Sequence, residues 1–148
     1  MNNIDEELLK THLHGNMQIL RHHVYEYQKG IRHLILHTSN ITLEDEIISL
    51  LEKKNVSYLI RSSSNQKINV FFGDRRCIDI LERIGEKSLS DFTDEEDFIL
   101  GIMLGYDQIK QCERYIKRKE KEDIAENKVV RINNEKAMVE NAMIGITC

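Results

Sequence analysis

The stretch Val56–Asp74, VSYLIRSSSNQKINVFFGD, decides how this chain folds. It holds two runs rich in branched and aromatic residues, Val56–Ser62 and Lys67–Phe72, split by a Ser/Asn loop, and so predicts a β-hairpin. Gly73-Asp74 breaks the second run, with Asp74 as the N-cap of a helix carrying Cys77, Ile80, Leu81 and Ile84 and stopping at Gly85. Upstream, Arg32–Thr38 (RHLILHT) reads as a third strand. A helix then starts at Thr42, with Asp45 three residues on as a shortened capping box and Leu43, Ile47, Leu50 and Leu51 as its buried stripe. The β-α-β unit implies a right-handed crossover. INVFF is the most continuously apolar strand and belongs at the centre. The expectation is an α+β fold: a three-stranded mixed sheet of order 1-3-2, half of a ferredoxin-like arrangement, with four to five helices.

Working outward, Met17, Leu20, Val24 and Tyr27 recur at helical spacing, and Gly30 can end their helix. Residues 1–16 read as a flexible, polar lead or short helix, and residues 17–118 as a single domain. Residues 119–148 read as a charged run (KEKEDIAENK), solvated helix or linker, and a weakly helical tail with Ala137, Met138, Ala142, Ile144 and Ile146.

At 148 residues the chain is about one domain long. A domain of that size buries roughly 70% of its unfolded surface and needs no metal or disulfide to fold. A net charge of −4 argues against a general nucleic-acid binder. Cys77, Cys112 and Cys148 lack CxxC spacing, so neither a disulfide framework nor structural zinc is indicated; Cys77 and Cys112 read as buried small hydrophobes, and Cys148 as an exposed thiol. No apolar segment reaches membrane-spanning length, and MNNIDEELLK lacks the basic start and apolar run of a signal peptide. The cytoplasm is the expected compartment.

Strand alternation divides the sheet into two expected faces. Leu34, Leu36, Val56, Tyr58, Ile60, Ile68, Val70 and Phe72 make an apolar one, which should meet both the helix over 43–54 and that over 75–84. His33, Ile35, His37, Ser57, Leu59, Arg61, Asn69 and Phe71 make a mixed one. Three coverings fit the mixed face: the first and last helices, a protein partner, or nucleic-acid bases stacked on Phe71 and Arg61.

EEDFILGIMLGYDQIKQCERY, Glu95–Tyr115, is the longest helix signal, capped by Thr93 and Glu96 as a capping box. Phe98, Ile102, Gly105, Ile109, Cys112 and Ile116 fall on one stripe, expected to face the domain. Leu100, Met103 and Leu104 point the other way, and Gly101 and Gly105 invite close approach of another backbone. Leu100, Gly101, Met103, Leu104 and Gly105 are therefore the candidate interface of a homodimer.

Chemistry-bearing motifs are sparse. All six histidines precede residue 38, and His33 and His37 are about 13 Å apart along their strand, too far to share a metal. Gly73, Arg75 and Arg76 at a strand-to-helix turn, together with Arg61, are candidate anion binders, although Asp74 competes for the same donors. The acidic run over 91–97 lacks the alternation and glycine of a calcium loop and suits the helix dipole instead. No P-loop, dinucleotide fingerprint, nucleophile elbow or HExxH is present, so no catalytic residue, cofactor or metal is assigned.

LRHHVYEYQKGIRHLILHT, INVFFGD and EEDFILGIMLGYDQIKQCERY together resemble the domain-of-unknown-function family 2023, small bacterial proteins, over about Met17 to Lys117. The resemblance implies a compact α+β domain, a homodimer, and an accessory role near a flavodoxin-type redox partner. It implies no catalytic residues. The expected function is thus a non-catalytic, cytoplasmic, homodimeric interaction protein. The alternative is a ligand- or nucleic-acid-binding regulator built on the basic patch and the open sheet face.

Overall fold

The computed structural model describes residues 2–146, so the expectation for Cys148 lies outside the described residues. The elements run α1 (Asn3–Gln28), β1 (Leu34–Asn40), a 3₁₀ turn (Ile41–Leu43), α2 (Glu44–Lys53), β2 (Ser57–Ser62), β3 (Lys67–Gly73), α3 (Arg75–Ile84), a second 3₁₀ turn (Leu89–Asp91), α4 (Asp94–Met103) and α5 (Gln108–Ile146). The sheet order is β1-β3-β2, as the apolar centre strand implies. Both ladders are antiparallel. β1 and β2 share a direction but lie on opposite sides of β3, so the expected mixed sheet contains no parallel pair.

Register redraws the two faces. Leu36 stands opposite Phe71, and Phe71 opposite Leu59, so the β1 leucines share the face of Phe71. Ile35 and His37 instead join Phe72, Val70, Tyr58 and Ile60. Alternation within one strand cannot say which parity aligns with its neighbour, and a one-residue shift exchanges the faces. The expected grouping of Leu34 and Leu36 with Val70 and Phe72 is corrected accordingly.

Each face carries its own core. Met17, Leu20 and Val24 of α1, with Ile47 and Leu51 of α2, pack on Ile35, Val70 and Phe72. Ile78 and Leu81 of α3, Leu100 and Leu104 around α4, and Phe92 pack on Leu34 and Phe71. The result is three layers, α1/α2, sheet, α3/α4, rather than α2 and α3 together on one side. Ile78 takes the buried place expected for Ile80, which is exposed.

The polar residues that the register places beneath α1, His37 and Ser39, are satisfied. Asn16 Nδ2 donates to the Thr38 carbonyl (3.3 Å), which turns its Oδ1 toward β1. That oxygen accepts from Ser39 Oγ (2.9 Å) and from His37 Nε2 (2.8 Å). His37 therefore carries its proton on Nε2. Burial, and secondarily His23, lower its pKa to about 4.

Three boundaries differ from expectation. α1 begins at Asn3 instead of Met17, although residues 2–12 are exposed and only the later turns touch the core. Asn40 replaces Thr42 as the cap before α2, its Oδ1 accepting from Thr42 N (2.9 Å). Most consequentially, Glu95–Tyr115 is two helices. Gly105 N–H donates to the Ile102 carbonyl (3.1 Å) and Tyr106 N–H to the Gly101 carbonyl (3.1 Å), with Gly105 at φ 79°. This is a Schellman end. Asp107 then caps α5, accepting from Lys110 N (2.8 Å). The Thr93–Glu96 capping box forms as expected, with Thr93 N to Glu96 Oε1 at 2.9 Å and Glu96 N to Thr93 Oγ1 at 3.1 Å.

α5 folds back along α4 and continues for 39 residues in all, so the charged run is solvated helix rather than linker and is continuous with the expected helical tail. From Lys121 to Ile144 every residue is exposed. No described helix is long and apolar enough to cross a membrane.

Candidate functional site

The candidate interface residues separate once α4 is in place. Leu100 and Leu104 are buried in the second core, and Met103 packs beside them. They face their own domain, so the expected outward patch is corrected. Gly101 does serve a close approach, but to the same chain: a Cβ there would overlap the Gln111 side chain of α5. Gly105 makes the turn. The side of the hairpin expected to be buried is the open one, with Ile102, Ile109 and Ile116 exposed. Ile99, Cys112 and Ile116 line an apolar groove there, floored by Phe98 and Tyr115 with ring centroids 5.5 Å apart.

The anion candidates also part company. Gly73 is needed for backbone approach, because its missing Cβ would collide with the His33 carbonyl. Asp74 caps α3, accepting from Arg76 N (2.9 Å), and the Arg76 guanidinium closes on the same carboxylate at 3.0 and 2.9 Å. Hydrogen bonding to Arg76 holds the Asp74 carboxyl down to about 2. The helix start is thus occupied by the protein's own anion. Arg61 stands opposite Asn69, four residues along β3 from Gly73 and so about 13 Å away. Arg61 and the Arg75/Arg76 pair do not form one site.

Arg61 belongs to another arrangement. At the hairpin end of the second sheet face, Thr38, Asn69 and Arg61 form a polar cross-strand row beside the apolar row Leu36, Phe71 and Leu59. The segment after α3 passes over this corner, bringing Lys87, Ser88, Leu89 and Phe92. With Leu59, Arg61, Asn69 and Phe71 of the two rows, that segment lines a cavity of 110 Å³. Phe71 is 3% exposed, which removes it as a platform for stacked bases. Lys87 and Phe92 were not singled out from the sequence. Their only signal there is a polar segment between two helices, with nothing to tie it to β3.

The histidines gather loosely. His22 and His23 both approach Glu26 Oε1, at 2.9 and 3.9 Å, and the His23 ring meets His37 edge-on at 5.8 Å. Burial lowers the pKa of His23. No group of three metal-capable side chains occurs among the described residues. Cys77 and Cys112 are half-buried free thiols, and burial raises the pKa of Cys77.

A search of curated proteins finds none that matches this chain. A family model does match, covering residues 18–118, from the second half of α1 to the part of α5 that packs on α4. The chain therefore belongs to the family described as protein of unknown function, DUF2023.

Proposed function

We propose that this is a non-catalytic, cytoplasmic interaction protein that works as a homodimer joined through α5. The observation that carries the reading is the spacing of Ala125, Val129, Ile132, Lys136 and Val139 along an exposed helix. Alternating steps of four and three residues form a coiled-coil seam, a surface that another helix fits. An isolated helix gains little from propensity alone, so this length calls for a covering partner. α5 is about 58 Å long and offers ample surface.

A second copy suits the seam. A two-fold axis lets one surface match itself. Lys136 lies between Glu135 and Glu140 in the groove it shares with Ile132 and Val139, so each lysine can reach a carboxylate of the opposite copy. The apolar groove of Ile99, Cys112 and Ile116 would extend the contact toward the domain. Sedimentation equilibrium should give a dimer. The pair Ile132→Asp and Val139→Asp should give a monomer with unchanged near-ultraviolet circular dichroism. A wild-type monomer at tens of micromolar, well above the Kd range of a stable interface, would sink the reading. The flavodoxin-type partner implied by the family resemblance is a separate proposal, tested by adding a flavodoxin and looking for a heavier species.

A further inference from the structure

We propose that the cavity between the Arg61–Asn69 row and the Lys87–Phe92 segment is a binding site for a small organic carboxylate with an apolar body. The walls divide by chemistry. Leu59, Phe71, Leu81 and Phe92 supply an apolar floor, while Arg61 brings positive charge and Asn69 an amide. No acidic side chain lines the cavity, although the chain carries 25 acidic residues and a net charge of −4.

The polar groups have donors to spare. Thr38 Oγ1 donates to Asn69 Oδ1 (2.8 Å), which fixes that amide and leaves its Nδ2 hydrogens without a partner among the described residues. Asn69 is only 9% exposed and lines the cavity, so this free amide N–H is a donor that a ligand there can reach. Arg61 gives one long bond to its neighbour's carbonyl (3.4 Å) and a loose pair, 3.6 Å, to the freely exposed Glu86. Most of its five N–H groups remain available. Lys87 is paired with Glu96, which neutralises it, so Arg61 is the cation of the site. Donors therefore converge from Arg61 and Asn69, one register pair on adjacent strands, and a carboxylate accepts from both.

Size sets the body of the ligand. At 110 Å³ the space is slightly smaller than the roughly 150 Å³ apolar cavity that admits benzene. A single ring or branched chain fills it, with the carboxylate at the rim beside Arg61. A base stacked on a strand, a nucleotide or a peptide is too large.

Benzoate is the probe. In a heteronuclear NMR titration of the full chain it should shift the amides of Asn69, Phe71 and Lys87 saturably, with a Kd on the order of 1 mM for so few atoms. Benzyl alcohol, with the same ring and no charge, should bind at least about tenfold more weakly, the weight of one charge-assisted bond. Arg61→Gln should weaken benzoate to a similar degree, and Arg61→Lys less so. Arg61 is partly exposed on an edge strand, so both variants should keep the wild-type spectrum elsewhere. Absence of saturable shifts in the wild type, or equal affinity for benzoate in wild type and Arg61→Gln, would overturn the assignment. Equal binding of benzyl alcohol would overturn it too, since the site would then be merely apolar.

Discussion

Arg118 of α5 lies against Asp94 at the start of α4, Nε to Oδ1 at 2.7 Å, and Asp94 is only 7% exposed. Arg118 also reaches Asp97 (3.2 Å), and Arg114 holds Asp97 at 2.9 Å. The acidic first turn thus does two things at once: it suits the α4 dipole and clasps α5. Asp94 Oδ2 has no hydrogen-bond partner among the described residues and only the Lys119 ammonium at 3.9 Å, so the closer Arg118 is the main compensation for a buried charge. Arg118→Ala should cost about 1–3 kcal/mol in urea unfolding, and Asp94→Asn with Arg118→Ala less than the two single costs added. Simple additivity would mean that the two residues are not coupled.

Leu104→Glu discriminates between the surface and core placements of α4. With Leu104 packed on the second face of the sheet, a carboxylate there is buried without a partner. The variant should lose at least about 3 kcal/mol or fail to fold, a collapse visible by circular dichroism. A folded variant changed only in oligomeric state would return Leu104 to the surface.

Gly101 and Gly105 should respond differently to alanine. At Gly105 the φ of 79° is the obstacle, and Gly105→Ala should cost about 1 kcal/mol with α4 and α5 still paired. At Gly101 the obstacle is Gln111, so Gly101→Ala alone should be worse than Gly101→Ala with Gln111→Ala. Thermal melts of the three variants give the comparison. No rescue by Gln111→Ala would place the strain elsewhere.

His37 sets a pH dependence. The folded chain keeps it neutral down to about 4, because burial and His23 oppose its charge while Asn16 accepts its Nε2 proton. The unfolded chain takes up a proton near 6.5. A folded pKa below the unfolded one means stability is complete above about 6.5 and declines as pH falls toward 4, by at most about 1.4 kcal/mol per unit. His37→Gln should decline less by about 2–2.5 kcal/mol between pH 7 and 4.5 in urea titrations. Parallel curves for wild type and variant would assign the acid sensitivity to other groups.

Much of this architecture is legible along the chain because it depends on neighbours in sequence. The hairpin follows from two β-rich runs across a Ser/Asn loop, Asp74 and the Thr93–Glu96 box cap locally, and INVFF announces itself as the central strand. The split of Glu95–Tyr115 is harder, since Gly105 in a helical pattern reads equally as a packing glycine or an end. What settles it is Asp107 as a second cap, a weak signal beside so much apolar periodicity.

Sequence alone determined the three strands, their order in the sheet, the helices α2 and α3 and the family, all carried by periodicity, capping and local turn chemistry. Tertiary structure alone decided how the strand faces pair and which side of the α4–α5 segment is inside. That choice depends on strand register and helix rotation, where one residue of slip or half a turn's rotation exchanges buried and exposed sets at little local cost. It moved Leu100 and Leu104 into the core, set Asn16 beneath His37, and brought Arg61, Asn69 and Lys87 around one cavity.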